Sequence, residues 1–322
     1  MSVCIAVRHS DQIIIVTDNR VSFGDFSGEH LSLKASALWH GWEALFAGND
    51  VEHAEPILRE AKSRLIALAE KITPRMMRPE EVIPIFDEVY SEHLQAQIEK
   101  KILRKHGWDS DSLQAKGKER LTPEILGKIW DRVDKEKISL RFMLCGHEPR
   151  EGRSPNRGAP HIWLIDGENA PVSYNTIGFW AIGRGAPAAL NRIALYLSKH
   201  VEFRSLEEAL YVAVTAKFAA ESVGDVGPST FAVIHNHITE DDKEMTFIPS
   251  GAIDVIRKSW EETGVPPAPP VIVGALKKVL PVLQRRTIAG AKKLIKKRQK
   301  AESKRLNHQV QQSISQTSKD QQ

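Results

Sequence analysis

The run Gln-Ile-Ile-Ile-Val-Thr-Asp (12–18) constrains the fold more than any other stretch. Ile13, Ile14, Ile15 and Val16 are all apolar and β-branched, which favours extended backbone and puts an apolar side chain on both faces of a strand. Such a strand belongs in a sheet covered on both sides. The preceding Ser-Val-Cys-Ile-Ala-Val-Arg (2–8) alternates with the period of two of a half-buried strand. His9-Ser10-Asp11 between them is turn chemistry, so residues 2–18 read as a β-hairpin.

Residues able to do chemistry collect around this hairpin. Asp18-Asn19-Arg20 ends the buried strand, Lys34 follows in a second alternating stretch (29–37), and 43–48 runs through Gly48 into a helical pattern. A reactive constellation could be built from a hydroxyl near the chain start, a carboxylate and a lysine on neighbouring strands, and a corner glycine. Each also has a plain structural reading. Ser2 is a small residue near a chain start, Asp18 and Lys34 can form a cross-strand ion pair, and Gly48 can serve only the corner.

Taken in register, these residues resemble the start of a proteasome core β-subunit and its bacterial relatives, the N-terminal-nucleophile (Ntn) hydrolases. With Met1 removed, Ser2 takes the family's nucleophile position. Asp18-x-Arg20, Lys34 and Gly48 then fall at the family's spacings without a gap. The likeness resumes at 142–146, 161–167, 182–185 and 205–233. It implies an α+β fold, the four-layer αββα sandwich, over residues 1–265. It implies catalytic roles for Ser2, Asp18, Lys34, Gly48 and Asp225, and a substrate pocket formed by Val21, Ser32, Ser36, Phe46, Asp50 and Ala54. An acid at Asp50 would favour a basic side chain at the cleaved residue.

The activity implied is hydrolysis of a peptide or protein substrate through an acyl-enzyme on Ser2, without cofactor or metal. A ring-like homo-oligomer is implied too, and an ATPase partner is compatible with it. The chain departs from the family in three places. Serine stands for the usual threonine, Gly183-Arg184-Gly185 stands for Gly-Ser-Gly, and in Asp225-Val-Gly-Pro-Ser229 the serine falls one residue late. These departures keep open a second reading, a catalytically silent proteasome-like structural subunit.

Along the chain, a helix is expected over 51–72 with Asn49 or Asp50 as cap, and another over 79–106 with Glu80 and Glu81 in its first turn. Residues 100–137 form a charged insertion with a helix opening at Thr122-Pro123-Glu124. Strands follow at 139–147, 161–166, 171–175 and 179–185, then helices at 187–200 and 205–223, the latter opened by a Ser205/Glu208 capping box. Strands at 230–237 and 244–249 and a helix at 250–263 close the body. The Pro-rich segment 266–270 reads as a stiff linker, 271–300 as an amphipathic basic helix and 306–322 as disordered.

Charge matters for the tail. Residues 277–322 hold 13 Lys+Arg and 2 Asp+Glu, leaving 32 basic and 39 acidic residues in 1–276, so the net charge of +4 hides an acidic body and a basic extension. Such an extension can meet nucleic acid or an anionic membrane surface, although a solvated or partner-docking helix is the plainer reading. Cys4 and Cys145 lie far apart in apolar strand patterns, which argues against a disulfide. With no signal-type start and no membrane-length apolar run, a cytoplasmic location is expected. Cys4 reads as core. His235-x-His237 lacks a third ligand at metal-site spacing and reads as a solvated strand end.

Overall fold

The hairpin at the chain start forms as its pattern requires. β1 (Cys4–His9) and β2 (Gln12–Asp18) pair antiparallel, with Cys4 opposite Thr17 and His9 opposite Gln12. The computed structural model describes residues 2–23, 26–29, 34–39, 41–71, 77–148, 158–224, 226–236, 245–263, 274 and 276–277. The chain divides into two units, 1–273 and 274–322. The linker 266–270 and nearly all of 271–322 lie outside the described residues, as do Ser32, Asp225 and His237.

After the hairpin come β3 (Arg20–Phe23), β4 (Phe26–Glu29), β5 (Ala35–Trp39) and β6 (Trp42–Gly48), then α1 (Ala54–Lys71), α2 (Pro79–Ile98), α3 (Ser110–Arg120) and α4 (Pro123–Lys135). β7 (Leu140–His147), β8 (Pro160–Ile165), β9 (Val172–Ser173) and β10 (Phe179–Ile182) follow, then α5 (Ala186–Leu197) and α6 (Leu206–Ala220). β11 (Thr230–Asn236), β12 (Met245–Phe247) and α7 (Ser250–Thr263) complete the unit. One five-stranded sheet runs β10-β1-β2-β11-β12 and the other β5-β6-β7-β8-β9, each with antiparallel pairs; β3 and β4 pair with each other.

The two sheets face one another through Cys4, Ala6, Ile13 and Ile15 on one side and Leu45, Met143, Cys145 and Ile162 on the other, all fully buried. The alternate residues Ile5, Val7, Ile14 and Val16 are equally buried, beneath α5 and α6. This is why 13–16 has to be apolar at every position. Trp42, Ala44, Phe142 and Leu144 on the outer face of the second sheet pack under α1 and α2 with Ile57, Leu65, Phe86 and Tyr90. The architecture is an α+β sandwich of two antiparallel sheets with helices outside. No helix among the described residues is long and apolar enough to cross a membrane.

Several local expectations change. Asp50 is not a side-chain cap: a short 3-10 turn, Val51–His53, precedes α1, and the Asp50 carboxylate accepts from the Ser139 N–H at 2.6 Å instead. Ser205 does cap α6, accepting from the Glu208 N–H, but the Glu208 carboxylate accepts from the Arg204 N–H instead of completing the box with Ser205. The helix expected to reach residue 106 leaves α-geometry after Ile98, through a π-turn and a 3-10 turn that end at Gly107. The insertion holds α3 as well as the expected α4. Asp109 caps α3, and Leu113 and Ile129 bury against Ile98, Ile102 and Leu103. Low intrinsic apolarity hid α3, because only Leu113 and Gly117 on it are buried.

His235 is also not solvated. It is fully buried, its ring 4.9 Å from that of His147 across the sheet interface. Strand alternation placed its side chain correctly on a face, but only the second sheet made that face interior.

Candidate functional site

Ser2 lies just before β1 and is only 2% exposed. Two close approaches hold it there. The Gly185 N–H donates to the Ser2 carbonyl at 3.4 Å. Gly183 has φ +95°, and a Cβ on it would stand 2.2 Å from the Ser2 carbonyl oxygen, so only glycine fits. Val3 continues the ladder: the Asp18 N–H donates to its carbonyl, and its own N–H donates to Asp18 Oδ1 at 2.9 Å. The strand pairing thus sets Asp18 directly beside the Ser2–Val3 peptide.

Lys34, immediately before β5, is 3% exposed and Asp18 is fully buried; Lys34 Nζ donates to Asp18 Oδ1 at 2.7 Å. The second carboxylate oxygen accepts from the Gly227 N–H at 3.2 Å. The carboxylate therefore has an ammonium and two backbone amides. A buried ion pair survives only with such satisfaction, since Coulomb attraction alone does not cover desolvation. Lys34 is tied to the neighbouring strand through its carbonyl, which accepts from the Phe46 N–H at 3.1 Å.

Gly48 ends β6. Amides alternate sides along an antiparallel strand. The Phe46 N–H points to the Lys34 edge and the Asn49 N–H to the Ser139 carbonyl, so the Gly48 N–H faces the Lys34 edge. A Cβ on Gly48 would stand 2.0 Å from the Ser139 oxygen, which gives this glycine a packing reason of its own. Asp50 and Asn49 clamp the corner onto Ser139, and the Tyr90 hydroxyl bonds the Ile138 and Leu140 carbonyls beneath it.

A pocket of about 550 Å³ opens between these parts, with Ser2, Ala47 and Gly48 on one wall and Ser139, Arg141, Asp166 and Arg184 among its other lining residues. Ser2, Gly48 and Arg184 thus meet at one opening, while Asp18 and Lys34 sit behind Ser2. Of the expected pocket residues, Ser36 and Phe46 are half-buried, Phe46 against Phe142, and Ala54, the first residue of α1, belongs to the core. These three and Asp50 are not in that lining. Val21 lies on β3, Ser32 and Asp225 outside the described residues. Gly227, two residues past Asp225, is the contact to Asp18 that sequence reasoning missed. Ser229 accepts from Asn19 Nδ2 at 3.3 Å.

Cys4 is core. Burial pushes its thiol up to about 12, with the nearby Lys34 charge pulling the other way, and its Sγ donates to the Phe46 carbonyl. Cys145 is buried and, like Cys4, a free thiol. Among the described residues no cluster of three His, Cys, Asp or Glu could hold a metal ion.

Compared with protein-family models the chain gives no match, and compared with curated proteins it gives none either.

Proposed function

We propose that this chain is an N-terminal-serine amidohydrolase built on the four-layer αββα Ntn-hydrolase fold, acting as a proteasome-like peptidase. The observation that carries the reading is the buried Lys34–Asp18 pair, hydrogen-bonded to the Val3 amide and lying behind a serine that opens onto a pocket. After removal of Met1, the α-amine of Ser2 takes the proton from its own hydroxyl. An α-amine with an ordinary pKa of about 7.7–8.0 suits that task near neutral pH. The Lys34 ammonium, held by Asp18, favours the neutral amine and the incipient alkoxide. Oγ attacks the scissile carbonyl, the Gly48 N–H receives the oxyanion, and the leaving amine takes the proton. Water then hydrolyses the ester on Ser2.

The proposal extends to a ring-like homo-oligomer in the cytoplasm, with an ATPase partner compatible with it. The silent structural subunit is the second reading, favoured by Arg184 at the pocket where the family carries serine. The test combines intact mass with labelling by an epoxyketone or β-lactone probe. The expected result is a mature chain beginning at Ser2 and one adduct, lost in Ser2→Ala and kept in Ser2→Thr. Arg184→Ser should label at least as well as wild type. A mature chain starting at Ser2 that takes no probe anywhere between about pH 6 and 9 would favour the silent subunit.

A further inference from the structure

Helix α6 is buried on almost every side, yet it carries Lys217, a fully buried lysine. An ammonium without water must be paired and hydrogen-bonded. Lys217 Nζ donates to Glu221 Oε1 and to the Gly227 carbonyl, both at 2.6 Å. Arg257 on α7 grips the same carboxylate with two nitrogens, at 2.9 and 2.7 Å, and Nη2 also donates to the Pro228 carbonyl at 2.9 Å. Its guanidinium lies 4.0 Å over the Phe218 ring, which restricts where it can swing. Two cations on two helices therefore hold two successive carbonyls of the segment before β11. The N–H of Gly227 in that segment is the donor to Asp18 Oδ2.

Packing alone does not account for this arrangement. An apolar side chain of lysine's length would fill the same space without the desolvation cost, and buried ionic clusters are often replaceable in that way without loss of stability. Burial lowers the pKa of Lys217, and Glu221 draws it part of the way back.

We propose that Lys217, backed by Glu221 and Arg257, is a positioning residue for the Ser2 site. It anchors the Gly227–Pro228 peptide through the Gly227 carbonyl, holding that glycine where its own N–H, in the preceding peptide, meets Asp18 and leaves the other carboxylate oxygen to Lys34 and the Val3 amide. Its chemical consequence rests on the reading of Ser2, Lys34 and Asp18 as a reacting unit; its structural part does not.

The test uses the full chain carrying Lys217→Met, which keeps the length and removes the charge. Two measurements are made: β-lactone inactivation kinetics, and amide exchange at Gly227 compared with Val16 in β2. The expected result is a maximal inactivation rate lower by about tenfold or more, with the half-saturating probe concentration changed by less than about threefold. Exchange at Gly227 should accelerate while that at Val16 does not. A structural role alone would lower the labelled fraction without changing the rate of the folded molecules. If Lys217→Met does not fold, Arg257→Met, at a half-buried position, is measured in its place, with the same signs and smaller size. Folded variants with wild-type exchange at Gly227 overturn the proposal whatever the chemistry. A wild-type protein that takes no probe overturns the amidohydrolase reading instead, and the exchange data still decide this one.

Discussion

Two regions of this protein use opposite charges in different ways. Beside Ser2, Lys34 and Asp18 meet at 2.7 Å with their side chains 4% and 0% exposed. On α4 in the insertion, Lys128 and Glu124 meet at 2.6 Å, with side chains 72% and 77% exposed. The distances are nearly equal and the energetics are not. The exposed pair gains little over hydration and is screened by salt. In the buried pair two backbone amides join the ammonium on the carboxylate, so Asp18 is held from three directions. Equal bond lengths are no guide to purpose. Burial with additional backbone donors is what marks a pair whose position matters.

The sharpest way to break the comparison is Asp18→Asn, which leaves the Lys34 ammonium buried without its counter-charge. It should destabilise by about 3–5 kcal/mol, measured by urea unfolding, and abolish probe labelling. A loss below about 1 kcal/mol would mean that water reaches the pair and the site is not closed. Next comes Gly183→Ala, where the added methyl would meet the Ser2 carbonyl at a backbone angle alanine rarely adopts. The expected cost is about 1–3 kcal/mol, with weaker labelling because Ser2 must move.

A smaller and local difference should appear in amide exchange. α3 and α4 rest on a separate apolar cluster rather than on either sheet, so their amides should exchange through lower-energy openings than those of β2. Equal protection would show instead that the insertion belongs to the same cooperative unit. The smallest effect is Lys128→Ala. It should change stability by no more than about 0.5 kcal/mol, vanishing at high salt. A larger, salt-insensitive change would show that α4 is covered in solution and that its pair is not an exposed one.

Much of this was legible in the sequence because it depends on local periodicity. Ile13–Val16 specified a strand buried on both faces, and α7 runs over 250–263 as its pattern indicates. The alternation of 2–8 reads as half-buried, yet Val3 to Val7 are fully buried because α5 and α6 cover the second face. That Ser2, Asp18, Lys34 and Gly48 would lie together is implied by the resemblance they carry rather than by periodicity, since spacing along the chain does not say which strands become neighbours. The sequence did not determine what each polar atom finds. Asp50 reads as a helix cap or pocket acid and is a clamp on Ser139, because β7 arrives beside it from 89 residues away in sequence. His235 reads as solvated and is interior, because the opposite sheet covers its face. Lys217 gave a signal, the single charge in the apolar run 209–220, but its partner Gly227 is set by the return of the chain into β11. Periodicity fixes which way a side chain points, whereas only the packing of distant segments decides whether water, another sheet or a carboxylate awaits it there.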